Sequence, residues 1–356
     1  MRTTQSITFA IALIAVFATA GCGGGSGSTG GGGSKSIAGN GVLYVSNQSR
    51  NSILRWNQAS GVDGNQAPSA EIIGASTQLQ SPRMLFLDPS ADRLFVANFG
   101  SNAILMFDGI SSANGNVAPT RVIAGSNTQL DGPVQVAVDN VRGLIYVSNS
   151  SANNILVFSL TISGNVAPAK IISSTFPFSS PAGIFYDSAN DRLYVADSNN
   201  SAIQIFNYAS TLIGQSKPAR RIAGASTTIN QPVDIAVSTS GLIVTDKGNN
   251  AVLTFANADT VDGDVSPQRA ISGVNTLFVS PVQIQVITST KLYIGSPGNS
   301  SIVVFDAFSG INGDAVPARR MVGDNTNLSG VSGGQGISGA AYDATRSGAG
   351  AGGRSY

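Results

Sequence analysis

Short apolar runs separated by clusters of Gly, Ser, Asn and Asp fill the chain from about residue 41 to residue 343, the pattern of β-strands joined by turns. One run recurs six times: LYVSN from Leu43, LFVAN from Leu94, IYVSN from Ile145, LYVAD from Leu193, LIVTD from Leu242 and LYIGS from Leu292. Successive copies lie 51, 51, 48, 49 and 50 residues apart, and self-similarity at such a period marks a repeat architecture.

Each run is followed by a second apolar strand that ends on one aromatic ring: Trp56, Phe107, Phe158, Phe206, Phe255 and Phe305. A Gly-x-x-x-Pro element comes next, at Gly64/Pro68, Gly115/Pro119, Gly164/Pro168, Gly214/Pro218, Gly263/Pro267 and Gly313/Pro317. Gly permits positive φ and Pro fixes φ near −65°, so the pair punctuates the entry to a third strand. That strand is short, as in RVIAG from Arg121. A loop, often with Thr three residues after a Gly (Thr77, Thr128, Thr227, Thr276, Thr326), leads to a fourth strand such as PVQVAVD from Pro133.

Four strands in each of six repeats predict an all-β chain forming a six-bladed β-propeller of four-stranded blades. The two ends carry complementary half-repeats: GISGAAYDATRSG near residue 336 matches a fourth strand with no LYVSN copy after it, and Leu43 begins a copy with no fourth strand before it. Residues Gly336 to Asp343 are therefore expected to supply the innermost strand of the blade that holds residues 42 to 74, closing the ring and removing its open edges.

The motif order, a strand like VQVAVD, then LYVAD or YVSN, then an apolar strand ending in Phe, resembles the NHL-repeat and YVTN-type families of bacterial β-propellers. IYVSNSSANNILVF from Ile145 and LYVADSNNSAIQIF from Leu193 are the nearest copies. The resemblance spans about residues 41 to 343 and implies the propeller fold. It names no function, because these repeats serve binding modules and enzymes alike.

Ahead of the repeats, residues 1 to 21 have the order of a secretory signal peptide: basic Arg2, an apolar run from Ile7 to Ala18, then small residues. Twelve helical residues reach only about 18 Å, short of a hydrocarbon core of roughly 30 Å. Thr19, Ala20 and Gly21 directly before Cys22, the chain's one cysteine, resemble the lipobox of bacterial lipoproteins, with Thr19 where Leu is usual. That resemblance implies lipidation of Cys22, a membrane partner through the lipid, and a place in the bacterial cell envelope. Gly23, where an Asp would signal inner-membrane retention, points to the outer membrane. Residues 22 to 40 then form the lipidated cysteine and a Gly/Ser-rich tether, and 344 to 356 a Gly-rich tail.

Lys and Arg number 20 against 19 Asp and Glu, so no broad positive field attracts nucleic acid, which is excluded as a partner. Histidine is absent, removing His-dependent acid–base catalysis, Ser-His-Asp and Cys-His arrangements, and the usual zinc, copper and haem ligand sets. GVSGG around Ser332 has the G-x-S-x-G spacing, but without a histidine it is a turn.

No cofactor is called for, and calcium is the metal that a histidine-free chain leaves open, because six-bladed lactonases and related hydrolases hold it with Asp, Asn and Glu oxygens on the channel axis. The entries to the inner strands offer Gln135, Asp234 and Gln283 as candidate ligand-binding residues, with Met84, Gly183 and Gly339 at the other three equivalent positions. One carboxylate among six is poor for an ion that takes six to eight oxygens.

Asp88, Asp139, Asp187 and Asp343, ending the inner strands, are expected to cap turns. A basic residue two places after the repeat Pro (Arg121, Lys170, Arg220, Arg269, Arg319; Ala70 is the exception) is expected to protect a blade edge, the functional alternative being a cationic rim. The sequence supports a non-enzymatic binding or assembly module whose loops and channel mouth meet a protein or glycan partner. The alternatives are a calcium-assisted lactonase or hydrolase at the central channel and a structural surface protein.

Overall fold

A computed structural model of the chain describes residues 41–287 and 291–328, and 339–343 as backbone. The signal segment, Cys22, the tether, Ser332 and the tail lie outside the described residues. The fold is the expected six-bladed propeller of antiparallel sheets. Blades two to five each begin with a seven-residue inner strand: Pro82–Asp88, Pro133–Asp139, Pro181–Asp187 and Pro232–Ser238. In blade six it is Ile284–Ile287. In blade one it is Gly339–Asp343, which pairs antiparallel with the first strand, Val42 opposite Asp343 and Ser46 opposite Gly339. The ring closes by the predicted exchange of half-repeats.

The LYVSN-type strands are buried almost throughout because both of their faces pack against neighbouring blades. Their first apolar residue lies opposite the repeated aromatic ring, as in Leu43 with Trp56 and Leu193 with Phe206. Each seam between blades carries its own apolar core, and Leu43 and Trp56 of blade one join Tyr293, Ile302 and Met321 of blade six. Burying side chains of this size stabilises by about 1.5–3 kcal/mol each, so every seam contributes to the same ring.

The Gly-x-x-x-Pro element does more than punctuate a turn. Its Gly pairs in parallel with the outer strand of the preceding blade, Ile72 with Gly115, Ile123 with Gly164, Ile222 with Gly263, Ile271 with Gly313 and Met321 with Gly64. Gly115 N–H donates to Glu71 O (2.8 Å) and Ile73 N–H to Gly115 O (3.0 Å). The side chain after the Gly reaches further into that blade: Asn116 Oδ1 accepts from Ser76 N–H (2.7 Å), Asn165 from Asn127 (2.8 Å), Asp264 from Ser226 (2.7 Å), Asp314 from Asn275 (2.7 Å) and Asn65 from Asn325 (2.8 Å). The third seam differs. There Gly214–Ser216 pairs with Ile172–Ser174 over three residues, enough to count as a fifth strand of that sheet.

The basic residues after the Pro also act across seams rather than only shielding an edge. Arg121 donates to Leu160 O, Lys170 to Ser210 O, Arg220 to Ala258 O (2.8 Å) and Val261 O (3.0 Å), and Arg269 to Ser309 O, all carbonyls of the following blade. Arg319 instead pairs with Asp306 of its own blade. Where the series lapses at Ala70, its cross-strand partner Arg55 takes over, donating to Ile110, Ser111 and Ala113 carbonyls. Three of the four inner-strand Asp residues cap turns as expected: Asp88 Oδ1 accepts from Ser90 and Ala91 N–H, Asp139 Oδ1 from Val141 and Arg142 N–H, and Asp187 Oδ1 from Ala189 and Asn190 N–H, while the side chain of Asp343 lies outside the described residues.

Gly224 has φ +129, and a Cβ there would lie 2.3 Å from Cγ of Asp264. Gly224→Ala is expected to lower stability by about 1–3 kcal/mol through backbone strain and displacement of the latch. Gly61→Ala, where a Cβ meets nothing within 4 Å, should stay within about 0.5 kcal/mol of the parent. Urea unfolding of the two variants checks this, and equal losses would refute the latch.

Candidate functional site

In blades two to five the inner strand opens with a register shift just after its Pro, between Pro82 and Leu85, Pro133 and Val136, Pro181 and Ile184, and Pro232 and Asp234. Such a bulge re-aims one side chain out of the ordinary alternation. The re-aimed positions include Gln135 and Asp234, with Gln283 equivalent in blade six. The freed N–H groups of Gln135 and Asp234 are taken by Ser148 Oγ (3.0 Å) and Thr245 Oγ1 (2.9 Å), the fourth residues of their LYVSN-type runs.

All three candidate ligand residues meet on the axis, where their polar atoms engage other blades. Gln135 Oε1 accepts from Ile184 N–H of blade four. Asp234 Oδ2 accepts from Ile284 N–H of blade six (2.9 Å) and Oδ1 from Ile235 N–H (2.9 Å). Gln283 Oε1 accepts from Leu85 N–H of blade two (3.2 Å) and its Nε2 donates to Leu85 O (2.8 Å). Gly183 leaves the space this needs, since a Cβ there would fall 2.7 Å from Oδ1 of Asp234. Among the described residues no group of three or more acidic or thiol side chains comes together as a metal cluster.

This polar layer separates two chambers. The one towards the ends of the inner strands, about 240 Å³, is lined by Phe86, Val138, Phe185, Val237 and Val286 and also by Gln135, Asp234, Gln283 and Gln285. The one at their beginnings, about 330 Å³, is the mouth. Its floor is apolar: Met84, Val134, Ala182, Val233 and Val282. Its wall includes the residue directly after each LYVSN-type run, Gln48, Phe99, Ser150, Ser198 and Lys247 from blades one to five. Arg83, from the strand start of blade two, lies with its guanidinium 4.0 Å from the Phe99 ring centre. Burial draws the pKa of Arg83 down from its usual value.

Sequence reasoning located the axial layer and missed Arg83, Phe99 and Lys247. They do not repeat, and that is their signal: Arg83 stands where the other inner strands have Val134, Ala182, Val233 and Val282, and Phe99 and Lys247 stand in a series that otherwise reads Gln48, Ser150, Ser198 and Pro297.

The family model for the NHL repeat matches residues 178–206, the first three strands of blade four. No curated protein matches the chain in sequence. Among solved structures, one from a nidogen/laminin complex is similar with a TM-score of 0.57 and 14% identity, covering 85% of this chain and 97% of that one. A streptogramin B lyase is similar with a TM-score of 0.45 and 16% identity, covering 76% of this chain and 72% of the lyase. The strand order described above and the likeness to the nidogen/laminin structure agree on a β-propeller fold, and the NHL-repeat match falls within one of its blades.

Burial pushes the Asp234 carboxyl up from 3.8 to about 7, against the pull of its three hydrogen-bond donors, Ile284 and Ile235 N–H and the Gln135 amide. Between those values the folded protein keeps a proton that the unfolded chain releases, so stability falls as pH rises through that window. Thermal unfolding at pH 4 to 8 should show this decline, and Asp234→Asn, which cannot ionise, should have a shallower one. Asp246, raised to about 6, leaves a remainder. Parallel profiles for parent and variant would contradict the assignment.

Proposed function

We propose that this chain is a lipid-anchored, non-enzymatic binding module of the bacterial cell envelope that holds a partner over the mouth of its central channel. One observation carries the reading. The polar residues that repeat from blade to blade are engaged in turns, latches and seams, whereas the residues that change from blade to blade converge on the mouth. A rigid ring presenting a variable, part-apolar cup is suited to recognition, since loops on a fixed scaffold carry specificity without disturbing the fold.

The anchor rests on residues 1 to 22, where an apolar segment and small residues precede Cys22, and the Gly/Ser run after it would give the ring reach from the membrane. The absence of histidine favours binding over hydrolysis. The nidogen/laminin structure, which this chain resembles in fold, is a protein complex and supports a protein as partner.

Two measurements test the proposal. Cys22→Ser should move the protein from the detergent-extracted membrane fraction to the soluble envelope fraction, and its retention with the lipid would refute the anchor. A photo-crosslinking residue at Ser198, in the mouth, should give partner adducts in intact cells that the same probe at exposed Thr161 does not. Equal adducts from both positions, or none from Ser198, would refute the mouth as the binding surface.

A further inference from the structure

Resting on the reading of a lipid-anchored chain, we infer that the outer wall of the ring at its third seam, between blades three and four, lies against an anionic phospholipid surface. Among the described residues seven large apolar side chains are exposed, and four of them are valines. The other three, Phe176, Tyr208 and Ile213, flank the parallel pairing of Ile172–Ser174 with Gly214–Ser216. Gly214–Ser216 is the outermost strand of its sheet, so this pairing stands on the outside of the ring. The three residues line neither chamber.

The fold gains little from these residues where they stand. In the place of Ile213 the other blades carry Asn114, Ser163, Asp262, Asn312 and Asp63, each accepting from a backbone N–H of the preceding outer strand. Isoleucine accepts no hydrogen bond, and Ile213 is 67% exposed. Tyr208 has φ +54, a left-handed conformation that suits its equivalents Gly109 and Asn257 better, and it is 71% exposed. Phe176 takes the place of Ser76, Asn127, Ser226, Asn275 and Asn325, whose N–H groups the latch engages. Its ring keeps one face near the Arg221 guanidinium, 5.4 Å away, and is 47% exposed. Large apolar side chains gathered at the one seam without a latch mark a contact surface.

Charge selects among partners. Residues 170–177 and 208–222, which form this wall, include Lys170, Lys217, Arg220 and Arg221 and no acidic residue. Lys170 and Arg220 donate to neutral carbonyls, which leaves their charge in place. The acids that reach the wall are Asp191, hydrogen-bonded to Ser210, Asp262, on Arg221 N–H, and buried Asp197, which feels the Arg221 charge. Four cations thus face three carboxylates, and Lys217 is exposed. The matching turn of the fourth seam, residues 257–266, carries three Asp of its own. Aromatic and aliphatic side chains with lysine among them suit the headgroup region of an anionic bilayer. They stand apart along a convex wall, a shape that a fluid lipid surface fits without a matching pocket. So weak a contact orients a ring that the lipid already tethers and does not hold the protein to the membrane alone.

The test reads the wall itself. In the Cys22→Ser chain, Gln215→Cys supplies the one thiol for an environment-sensitive dye, and Val274→Cys, at an exposed position of blade five, supplies the control. Vesicles of phosphatidylglycerol and phosphatidylcholine in equal parts should shift the emission of the label at position 215 to the blue, saturably, and leave the label at position 274 unchanged. Raising salt should lower the apparent affinity at least threefold, and pure phosphatidylcholine vesicles should bind as weakly. Ile213→Asn, which restores the residue found at Asn114 and Asn312, and Tyr208→Asn should each weaken lipid affinity at least threefold while leaving Tm unchanged or higher. Lys217→Gln should reduce the preference for phosphatidylglycerol.

Equal shifts at the two labels, no shift at position 215 with either vesicle, or a fall in Tm for Ile213→Asn would each overturn the inference. A shift at position 215 that grows with protein concentration and needs no vesicles would overturn it in favour of a second copy of the chain. The anchor is decided separately, by the fraction in which the Cys22→Ser chain is found. A soluble chain with a silent label keeps the anchor and loses the wall, and a membrane-bound chain with a responding label does the reverse.

Discussion

The outer strand of every blade exposes a row of backbone N–H and C=O groups, and the ring depends on how that row is covered. An uncovered edge would be a template for pairing with another chain. Here it is met by the next blade, whose Gly approaches in parallel register while the following Asn or Asp reaches a turn beyond. The contact protects the edge, ties neighbouring blades together and places the carbonyls that Arg121, Lys170, Arg220 and Arg269 bind. Ring closure by Gly339–Asp343 then completes a circuit in which the apolar seams and the backbone latches reinforce each other.

Blade number, strand order and closure were legible in the sequence because they depend on local chemistry repeated at a fixed spacing. The latch was not, because its partners lie about forty residues apart, and 260 apart where the ring closes at Asn65 and Asn325, and each half alone looks like turn chemistry. The chain nevertheless contains a trace of it. In the third seam the equivalents of Asn114, Asn116 and Gly74 are Ile213, Gln215 and Ser174, and the equivalent of Thr77 is Pro177. All four residues are lost together. Joint loss at one seam is what a physical contact between them would produce, and the compensation is a longer parallel pairing with Thr175 N–H on Ser216 O at 2.9 Å.

The candidate site divides in the same way. Gln135, Asp234 and Gln283 could be found because they occupy equivalent places in the repeat, and the structure brings them to one layer. The mouth residues break the repeat, so an alignment of copies treats Arg83, Phe99 and Lys247 as noise. A repeat protein is held to its period by packing between neighbours. Positions that depart from the period without disturbing that packing are free to be chosen for recognition, and here three of them line one cavity.

The axial layer gives the mouth its character. A buried carboxyl held by backbone N–H groups of its own and the next blade, with Gln135 and Gln283 bridging to others, spans five of the six blades. Moving the inner strand of any of these five blades would strand buried polar groups, at a cost of about 1–3 kcal/mol each, so the layer resists opening. A ligand at the mouth meets the apolar floor of Met84, Val134, Ala182, Val233 and Val282. Recognition at the mouth then falls to the side chains that line it rather than to the axial layer beneath.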